Sequence, residues 1–478
     1  MTSEPTIGAR EVARDVLRRV RREDAYATLA LDAALRRHDL PPAERGLATE
    51  LVYGVLRHRR RLDHAVGRHA ARGLGRVDDD VLDLLRLAAY QILLLDRVPA
   101  HAAVDHAVGA VRGLRGQEVA GFANAVLRKL TARDLTLDLP RDPVQRLALE
   151  GSLPDPLARA WAEQIGQEQA EQLARALLER APITLRVNTL KGDTVTLQAR
   201  LEAEGASVGP GRWLGPALRV VSARGLFQLP SHRDGLWSVQ DEAAQLAALA
   251  LDPRPGETVL DACAGVGGKS MQLAALMQDR GKVICVDVSA RKLELLEAHG
   301  VRLGVSCCEI RPGDLRQMAP CTVDRALVDA PCTGLGVLRR HPELKWRSGA
   351  GLDALARLVP LQRELLEAAV SGLRPGGVLV YGVCTTTAEE GEEQLAWLRG
   401  RHPDLAPDPI PDAVPRALLG GALRAGPANA TSEPLVHDGG LPVNGAPPTG
   451  RRAPGVLRLW PHLHDTDGFF IARLRRMQ

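Results

Sequence analysis

The chain has 478 residues, enough for roughly two to four domains of ordinary size. Apolar residues make up 45% and charged residues 25%, which is usual for a globular protein. No apolar run approaches the ~18 residues of a membrane span, and the N-terminus lacks a signal-peptide pattern, so we expect no membrane segment. The seven cysteines all lie from Cys263 to Cys384 and form no disulfide framework, which favours a reducing, cytoplasmic location.

The net charge of +4 is concentrated near the N-terminus. Residues 1–150 contain 25 Lys and Arg against 21 Asp and Glu, whereas the rest of the chain is balanced. Two arginine-rich clusters lie there, Arg18–Arg22 and Arg57–Arg61. A nucleic-acid-binding protein needs local clusters of this kind, because contacts with phosphates release counterions. Two solvated helix faces would give the same pattern, so charge alone leaves both interpretations open.

Apolar residues recur at helical spacing through the N-terminal part of the chain, for example at Val12 and Val16. This periodicity predicts an all-α domain over residues 1–135. A polar stretch marked by prolines, Asp134–Pro143, is interpreted as a linker. Residues 144–235 are predicted to form a small α/β subdomain. Its predicted elements are a helix over Gln167–Glu179 and strands over Ile183–Val187 and Leu218–Val221.

From residue 236 to residue 478 the predicted strands and helices alternate, which is the pattern of a doubly wound parallel sheet. Residues 406–454 are crowded with proline, glycine and small side chains and are interpreted as a flexible insertion. A last hairpin, Val456–Trp460 and Gly468–Leu474, is predicted to add antiparallel edge strands. The predicted parallel strands are Thr258–Asp261, Lys282–Asp287, Cys308–Ile310, Arg325–Asp329 and Val378–Tyr381, and the helices start at Gly268 and Ala290 or cover Leu358–Ser371.

A glycine-rich turn, DACAGVGGK at residues 261–269, follows the first of these strands. Such a turn lets backbone N–H groups approach a polar or anionic ligand, and the next helix N-terminus favours negative charge. Asp287 ends the next strand, where a carboxylate can bind both ribose hydroxyls, and Asp314 can reach an adenine edge. The turn lacks G-x-G-x-x-G spacing, which favours S-adenosylmethionine over NAD without excluding NAD. Both aspartates precede predicted helices, so helix capping is an alternative role.

Two cysteines lie where two parallel strands are predicted to end, Cys332 in the sequence DAPC and Cys384 in the sequence VYGVC. Ligands bind at the carboxyl ends of the strands in an open α/β sheet, so we expect both thiols to face the same crevice as the turn. A thiolate beside a nucleotide-type cofactor indicates nucleophilic attack on an electron-poor acceptor. This fits methyl transfer to a pyrimidine carbon better than hydride or phosphoryl transfer. Either cysteine alone could be a packed thiol, but two at strand ends argue against that alternative.

Several segments resemble those of the bacterial small-subunit rRNA cytosine-5 methyltransferases, most closely the RsmB (Sun) subfamily with a NusB-like helical domain in front. The resemblance covers nearly the whole chain, and its block from Asp329 to Trp346 is long and highly specific. The other matching segments are Cys263–Lys269, Tyr381–Glu390, Ala123–Arg128, Leu185–Thr189, Val239–Asp241 and Asp467–Ala472.

The resemblance implies a Rossmann-like class I methyltransferase sheet, preceded by an all-α NusB-like RNA-binding domain and the small α/β subdomain. It implies methyl transfer from S-adenosylmethionine to carbon 5 of a specific cytosine in 16S rRNA. Cys384 would add to carbon 6 as the nucleophile, and Cys332 would help to resolve the adduct. We expect a monomer acting on an unassembled or partly assembled small subunit, with no metal and no membrane. The implied cofactor-binding residues are Cys263, Ala264, Gly265, Val266, Gly267, Gly268, Lys269, Asp287, Asp314 and Asp329, with Lys269 and Asp329 also near the target base.

The chain departs from the family pattern at two places. Gly265-Val266 replaces Ala-Pro in the turn, which makes the turn more flexible, and Gly382-Val383 replaces Ser-Thr before Cys384. Only six lysines occur, so Lys269 and Lys345, both within the motifs, are candidates for needing a compact ammonium group.

Two other functions are open at this point. One is a DNA cytosine-5 methyltransferase, in which Cys332 would be the attacking thiol. The other is a non-enzymatic RNA-binding factor in which the sheet is a decayed scaffold. The helical domain and the second cysteine argue against the first, and the retained aspartates and cysteines argue against the second.

Overall fold

The computed structural model describes residues 7–71, 73–131, 137–347, 351–419 and 454–478. The chain divides into two units, each with its own hydrophobic core. The first consists of Met1–Arg180 and Leu338–Asp353, and the second of Ala181–Val337 and Ala354–Gln478. Among the residues described, no helix is long and apolar enough to cross a lipid bilayer.

The first unit is helical, as the apolar periodicity of its sequence predicts. Its helices are α1 (Ala9–Arg22), α2 (Ala27–Arg37), α3 (Pro42–Gly67), α4 (Asp79–Leu94), α5 (Ala100–Leu130), α6 (Pro143–Glu150), α7 (Asp155–Ile165) and α8 (Gln167–Ala176), with 3₁₀ helices at Leu74–Arg76 and Pro342–Lys345. Alanine, leucine and valine side chains of α1 to α5 form one core. Asp78 caps α4 by accepting from two backbone N–H groups, whereas Gly116, at φ +82°, interrupts the helical geometry of α5.

The segment Leu338–Trp346 belongs to the helical unit, although it follows the Cys332 loop directly in sequence. Trp346 packs against the helical core, and its indole N–H donates to the Leu56 carbonyl at 2.7 Å. The buried Glu343 carboxylate accepts from the first N–H of α2 at 3.2 Å and caps that helix, which lacks a side-chain cap at its own N-cap residue. The most specific block of the sequence therefore contributes residues to both units.

The first arginine cluster is paired with carboxylates inside the helical unit. Arg21 contacts Asp79 at 3.4 Å, Asp83 at 3.0 Å and also Asp80, all in the first turns of α4. Arg22 pairs with Asp80 at 2.7 Å. These contacts join α1 to α4, so much of the charge of this cluster is used within the unit.

The second arginine cluster is not a solvated helix face, and that interpretation is wrong. Arg57 is only 7% exposed and donates to the carbonyl of Arg339 at 3.1 Å, while its Nε atom has no hydrogen-bond partner. The guanidinium of Arg59 lies over the ring of Trp346, 5.2 Å from its centroid. The cluster is covered because Leu338–Trp346 packs on this part of α3, a contact between residues far apart in sequence.

The second unit begins with a four-stranded antiparallel sheet. Its elements are β1 (Ile183–Val187), α9 (Thr194–Ala203), β2 (Ser207–Pro210), β3 (Ala217–Ser222), α10 (Pro230–Arg233) and β4 (Trp237–Val239). The strand order is β2-β3-β1-β4. The sequence predicts β1 and β3, but it gives no prediction of α9, β2 or β4. The helix predicted from Gln167 is α8, and it lies in the first unit.

The rest of the second unit is built on a larger, mostly parallel sheet. Its elements are α11 (Glu242–Leu251), β5 (Thr258–Asp261), α12 (Gly268–Leu276), β6 (Lys282–Asp287), α13 (Ala290–Leu303), β7 (Cys308–Pro312), β8 (Val323–Asp329), α14 (Leu355–Gly372), β9 (Leu373–Val383), α15 (Glu392–Arg401), β10 (Leu405–Pro407), β11 (Val456–Leu459), α16 (Pro461–His464) and β12 (Phe469–Arg476), with 3₁₀ helices at Leu315–Gln317 and Arg416–Leu418. A further 3₁₀ helix, Gly351–Ala354, begins in the last residues of the first unit. The strand order is β10-β12-β9-β8-β5-β6-β7, and β11 also pairs with β12. Strands β9, β8, β5, β6 and β7 run parallel, and β12 is antiparallel to β9.

Alternate residues of the parallel strands face two separate cores, because successive side chains of a strand point to opposite faces. Val259 and Val283 pack with apolar residues of α11, α12 and α13, whereas Leu260 and Ile284 pack with those of α14 and α15. Helices therefore cover both faces of the sheet, and ligand access is left to the strand ends.

The predicted strands Thr258–Asp261 and Lys282–Asp287 agree with β5 and β6. The last hairpin forms as β11 and β12, but the prediction that both are edge strands is wrong, because β12 lies between β9 and the pair β10 and β11. Phe469–Leu474 is buried throughout, and a strand of this kind needs hydrogen-bonding neighbours on both sides.

Two predicted loop regions fall partly outside the described residues. In the predicted linker Asp134–Pro143, residues 134–136 lie outside them, and α6 begins at Pro143. In the predicted insertion 406–454, residues 420–453 lie outside them. Within its described part, Val414 and Leu418 are buried in the core of the larger sheet.

Candidate active site

The site lies at the carboxyl edge of the parallel strands. β5 ends at Asp261, β6 at Asp287 and β8 at Asp329, and β9 ends one residue before Cys384. Because β9, β8, β5 and β6 are neighbours in that order, these strand ends lie side by side at one edge of the sheet. The sequence places its candidate residues at strand ends, and the sheet order brings those ends together.

The turn after β5 is held by backbone hydrogen bonds and by two glycines with positive φ. Gly265 has φ +56° and Gly267 has φ +85°, a region that side-chain-bearing residues rarely adopt. A Cβ on Gly267 would also lie 2.6 Å from the side chain of Leu296. The Ala264 N–H donates to the Val286 carbonyl at 2.8 Å, which ties the turn to β6. Gly268 is the first residue of α12, so the turn ends at a helix N-terminus.

Gly265 and Val266, the two residues that depart from the family pattern, differ in what the structure requires of them. Gly265 has open space around its Cβ position, so only its positive φ favours glycine there. Val266 is 51% exposed, beside the buried Ala264. Burial raises the pKa of Cys263, which precedes them, well above its usual range, so this thiol stays protonated near neutral pH.

Asp287 organises the turn rather than capping α13. Its Oδ2 accepts from the Gly265 N–H at 2.9 Å and its Oδ1 from the Ser289 N–H at 2.8 Å. The N-cap of α13 is Ser289, whose side chain accepts from the Lys292 N–H. The carboxylate is 9% exposed, and each oxygen keeps a second lone pair for a ligand hydroxyl. Ser289 rather than Asp287 therefore caps α13. The Oδ2 of Asp287 also lies 3.9 Å from the Lys292 Nζ, and the contact of Asp287 with a ribose stays a prediction.

Asp314 has partners of its own within the structure. It caps the 3₁₀ helix Leu315–Gln317 and pairs through both oxygens with the Arg316 guanidinium. The hydrogen bond from Arg316 holds the pKa of Asp314 below its usual range. The preceding Gly313 N–H donates to the Asp287 carbonyl at 3.1 Å, so the segment lies beside the ribose candidate. Its predicted contact with adenine stays a prediction.

Lys269 and Asp329 form an ion pair at the strand ends. The Lys269 Nζ donates to the Asp329 Oδ2 at 2.6 Å and lies 5.3 Å from the centroid of the Phe469 ring. Burial opposes the charge of Lys269, but Asp329, helped by Cys384, outweighs it and raises the lysine pKa. A fixed ammonium group thus lies within the electrostatic reach of Cys384.

The glycine at position 382 makes room for that aromatic ring. A Cβ on Gly382 would lie 3.2 Å from the Phe469 ring, closer than ordinary van der Waals contact. The departure from the family serine at this position therefore accompanies close packing of Phe469, the ring that lies beside Lys269.

Asp261 is a site residue that the sequence analysis quotes in the turn without giving it a role. Its carboxyl group is 1% exposed, accepts from the Ser270 hydroxyl at 2.7 Å through Oδ2, and has no partner for Oδ1. Burial raises its pKa to about 7. A buried acceptor without a partner is costly unless a ligand satisfies it. Its place at the end of a predicted strand, as the first residue of the glycine-rich turn, is the sequence signal that could have identified it.

The two predicted cysteines are brought together. The Sγ atoms of Cys332 and Cys384 lie 3.3 Å apart, and both side chains are half-buried. The hydrogen bond to Cys384, together with burial, raises the pKa of Cys332 well above its usual range. Gly336 donates its N–H to the Cys384 carbonyl at 3.0 Å, which joins the two cysteine loops. Cys332 therefore stays protonated near neutral pH.

The mostly parallel sheet with helices on both faces, together with the glycine-rich turn after β5, is a Rossmann-like methyltransferase fold. The model of the 16S rRNA methyltransferase RsmB/F family matches residues 248–475. The NusB family model matches residues 8–132, and the ferredoxin-like domain of RsmF/B-like methyltransferases matches residues 153–226.

Full-length relatives agree with these matches. The probable ribosomal RNA small subunit methyltransferase B of Bacillus subtilis is 34% identical over 98% of each chain. The crystal structure of PH0851 covers 99% of this chain and 100% of its own, with a TM-score of 0.76 and 25% identity. A methyltransferase homolog protein from Pyrococcus horikoshii covers 71% of this chain and 100% of its own, with a TM-score of 0.56 and 27% identity. The chain belongs to the 16S rRNA methyltransferase RsmB/F family, which confirms the predicted family and fold class.

Proposed function

We propose that the protein transfers the methyl group of S-adenosylmethionine to carbon 5 of a cytosine in 16S rRNA, through a covalent bond between Cys384 and carbon 6. The observation that carries this proposal is the pair of sulfurs 3.3 Å apart at the strand ends, with the Lys269 ammonium group within electrostatic reach of Cys384. A single thiol would suit many reactions. Two thiols, of which one is held protonated, suit a cycle of nucleophilic addition and release.

The residues of the turn fit the cofactor. The unpartnered Oδ1 of Asp261 calls for a donor or a positive charge, and S-adenosylmethionine has both an ammonium and a sulfonium group. Asp287 would accept from the ribose hydroxyls, and Asp314 would lie near the adenine. The turn from Cys263 to Lys269 would enclose the rest, and the bound cofactor would supply the methyl group.

The chain's own residues would handle the base. The Cys384 thiolate, stabilised by Lys269 and by the S–H of Cys332, would add to carbon 6 of the cytosine. This addition would make carbon 5 nucleophilic through the electrons of the carbon 5–carbon 6 double bond, and carbon 5 would take the methyl group as the methyl–sulfur bond breaks and S-adenosylhomocysteine is released. Removal of the carbon 5 proton to water, supported by Cys332, would restore the double bond as the sulfur leaves carbon 6. Asp329 would hold Lys269 in place throughout.

The relatives are named as small-subunit rRNA methyltransferases, which supports small-subunit rRNA as the substrate. We propose domain boundaries at 1–135 for the NusB-like part, 144–235 for the small subdomain and 236–478 for the catalytic core. We also propose a cytoplasmic monomer that acts on the RNA before the small subunit is complete, because a stacked or buried cytosine must be flipped out at a cost of a few kcal/mol.

Nucleoside analysis tests the proposal. The purified protein, labelled S-adenosylmethionine and a 16S rRNA transcript should give one 5-methylcytidine per RNA. A methyl group on another base or atom would contradict the proposal, and labelling of duplex DNA instead of RNA would support the DNA-enzyme alternative. Failure to bind the labelled cofactor would support the scaffold alternative. Bisulfite sequencing of rRNA from a deletion strain should then identify the target cytosine.

A further inference from the structure

Glu390 is a buried carboxylate near the two cysteines to which the sequence analysis gives no role. It lies between β9 and α15 and is 0% exposed. Its carboxylate accepts five hydrogen bonds, from the Thr333 N–H (2.8 Å), the Thr333 hydroxyl (2.6 Å), the Thr385 hydroxyl (2.6 Å), the Thr387 hydroxyl (3.0 Å) and the Gln362 amide (2.9 Å). A carboxylate this deeply buried is stable only because every acceptor position has a donor.

Four of the five donors come from the two loops that contain the thiols, and the fifth is the amide of Gln362 on α14. Thr333 directly follows Cys332, and Thr385 directly follows Cys384. The two threonine hydroxyls also lie 2.8 Å from each other. Gln362, on α14, contacts both the carboxylate and the carbonyl before Cys332, at 2.9 Å in each case. The carboxylate is therefore the shared partner of two loops that are far apart in sequence.

We propose that Glu390 is a positioning residue that holds the Cys332 and Cys384 loops together, so that the two sulfurs stay within hydrogen-bond distance of each other. The inference rests on the proposed function for its meaning in catalysis, but the geometry of the two loops is independent of it. A displacement of about 1 Å at reacting atoms can cost about 100-fold in rate, so a clamp this close to the thiols should matter.

The charge of Glu390 gives a second, smaller contribution. The hydrogen bond to Cys384 and burial are the larger causes of the raised pKa of Cys332, and the negative charge of Glu390 raises it further. The clamp thus helps to keep Cys332 protonated beside the attacking sulfur. An uncharged side chain of the same shape would lose this effect and would bring an N–H₂ group among donors that need an acceptor.

The test compares Glu390→Gln with a matched control, Glu242→Gln. Glu242 is also 0% exposed, and its carboxylate accepts from the backbone N–H groups of Arg212, Trp213 and Leu214 in the small sheet. For each folded variant, cofactor binding is measured by calorimetry, and kcat and the KM for RNA by methyl transfer. Alkylation of Cys332 and of Cys384 by iodoacetamide is followed separately by mass spectrometry in the RNA-free protein.

Glu390→Gln should lower kcat on the order of 100-fold with KM and cofactor affinity within about twofold of wild type. The ratio of Cys332 to Cys384 alkylation should change at least threefold, and Glu242→Gln should leave that ratio unchanged. An unchanged alkylation ratio together with a normal kcat in Glu390→Gln would overturn the proposal. An equal change of the alkylation ratio in Glu390→Gln and Glu242→Gln would also overturn it. If Glu390→Gln does not fold, Thr385→Val decides, because it keeps the charge and removes one link: its kcat should fall about tenfold, and a wild-type kcat would overturn the clamp.

The two measurements separate this proposal from the proposed function. If the wild-type protein makes no 5-methylcytidine but the alkylation ratio still changes in Glu390→Gln, the reaction is wrong and the clamp is right. If methylation occurs but neither kcat nor the ratio responds to Glu390→Gln, the clamp is wrong and the reaction stands.

Discussion

Two lysines, the half-buried Lys269 and the buried Lys345, lie one in each unit and have pKa values displaced in opposite directions. Lys269, at the strand ends, faces the Asp329 carboxylate, and its pKa is raised. Lys345, in the helical unit, donates only to the carbonyls of Arg57 and Ser152, and burial with the nearby Arg57 charge lowers its pKa to about 7. The chain has only six lysines, and of these two Lys269 alone has an ionic partner among the described residues.

The opposite pKa shifts of Lys269 and Lys345 follow from the different partners of the two ammonium groups. A charged ammonium group has three donors and needs compensating charge when buried, which Asp329 gives to Lys269. A neutral amine has two N–H groups, and two carbonyls satisfy them, which is the arrangement around Lys345. We therefore expect Lys269 to act in chemistry and Lys345 to hold Leu338–Trp346 on the helical core.

Lys269→Met should have the largest effect on activity. It removes the cation beside Cys384 and leaves Asp329 without its partner, so kcat for methyl transfer should fall about 100-fold or more, as for lost electrostatic stabilisation elsewhere. The exposed Lys282 is the control, since its ammonium group only pairs with Glu309 at the other end of β6. A kcat within threefold of wild type for folded Lys269→Met would contradict the expectation that Lys269, unlike Lys345, acts in the chemistry.

Asp287→Ala should weaken cofactor binding about tenfold or more, because charged hydrogen bonds of this kind contribute about 1.5–3 kcal/mol. Affinity for RNA should stay nearly unchanged. Asp279→Ala is the matched control, since that carboxylate accepts backbone N–H groups of Ser306 and Cys307. Calorimetry showing normal cofactor affinity in folded Asp287→Ala would rule out the ribose role.

Lys345→Met should change how stability depends on pH. Between about pH 7 and pH 10 the unfolded chain keeps the lysine proton that the folded chain has lost, so the wild-type free energy of unfolding should rise with pH. The contribution is at most ~1.4 kcal/mol per pH unit and is absent below about pH 7. Urea unfolding of both proteins at pH 7 and pH 9 measures it. Parallel pH profiles for the two proteins would show that Lys345 is charged in the folded state.

Replacing Arg59 and Arg61 by Ala should have the smallest effect on RNA binding. Both guanidinium groups are partly buried in the helical unit, so the salt dependence of RNA affinity should change by less than the ~0.7–0.9 slope units of one phosphate contact. Thermal stability should fall instead, because Arg59 lies over the Trp346 ring. A slope reduced by about 1.4–1.8 units, the value for two lost phosphate contacts, would restore the RNA-docking interpretation of this cluster.

The sequence predicts the parallel strands and the residues at their ends, because buried strands and the turn after β5 are local signals. It does not predict that Leu338–Trp346 joins the helical unit, since that depends on contacts such as Trp346 with Leu56. The same limit applies to the burial of Arg57 and to Glu390, whose five donors come from three separate segments. Periodicity describes which face of an element is apolar, not which distant segment will cover it.

The most direct test of the account is the fate of the two cysteine variants on a denaturing gel. RNA and S-adenosylmethionine are incubated with Cys384→Ala or with Cys332→Ala, and covalent RNA–protein complexes are counted. Cys384→Ala should lose methylation and form no complex, because no sulfur attacks carbon 6. Cys332→Ala should also lose turnover but accumulate a complex that survives denaturation. Accumulation with Cys384→Ala and none with Cys332→Ala would reverse the two roles and contradict the account.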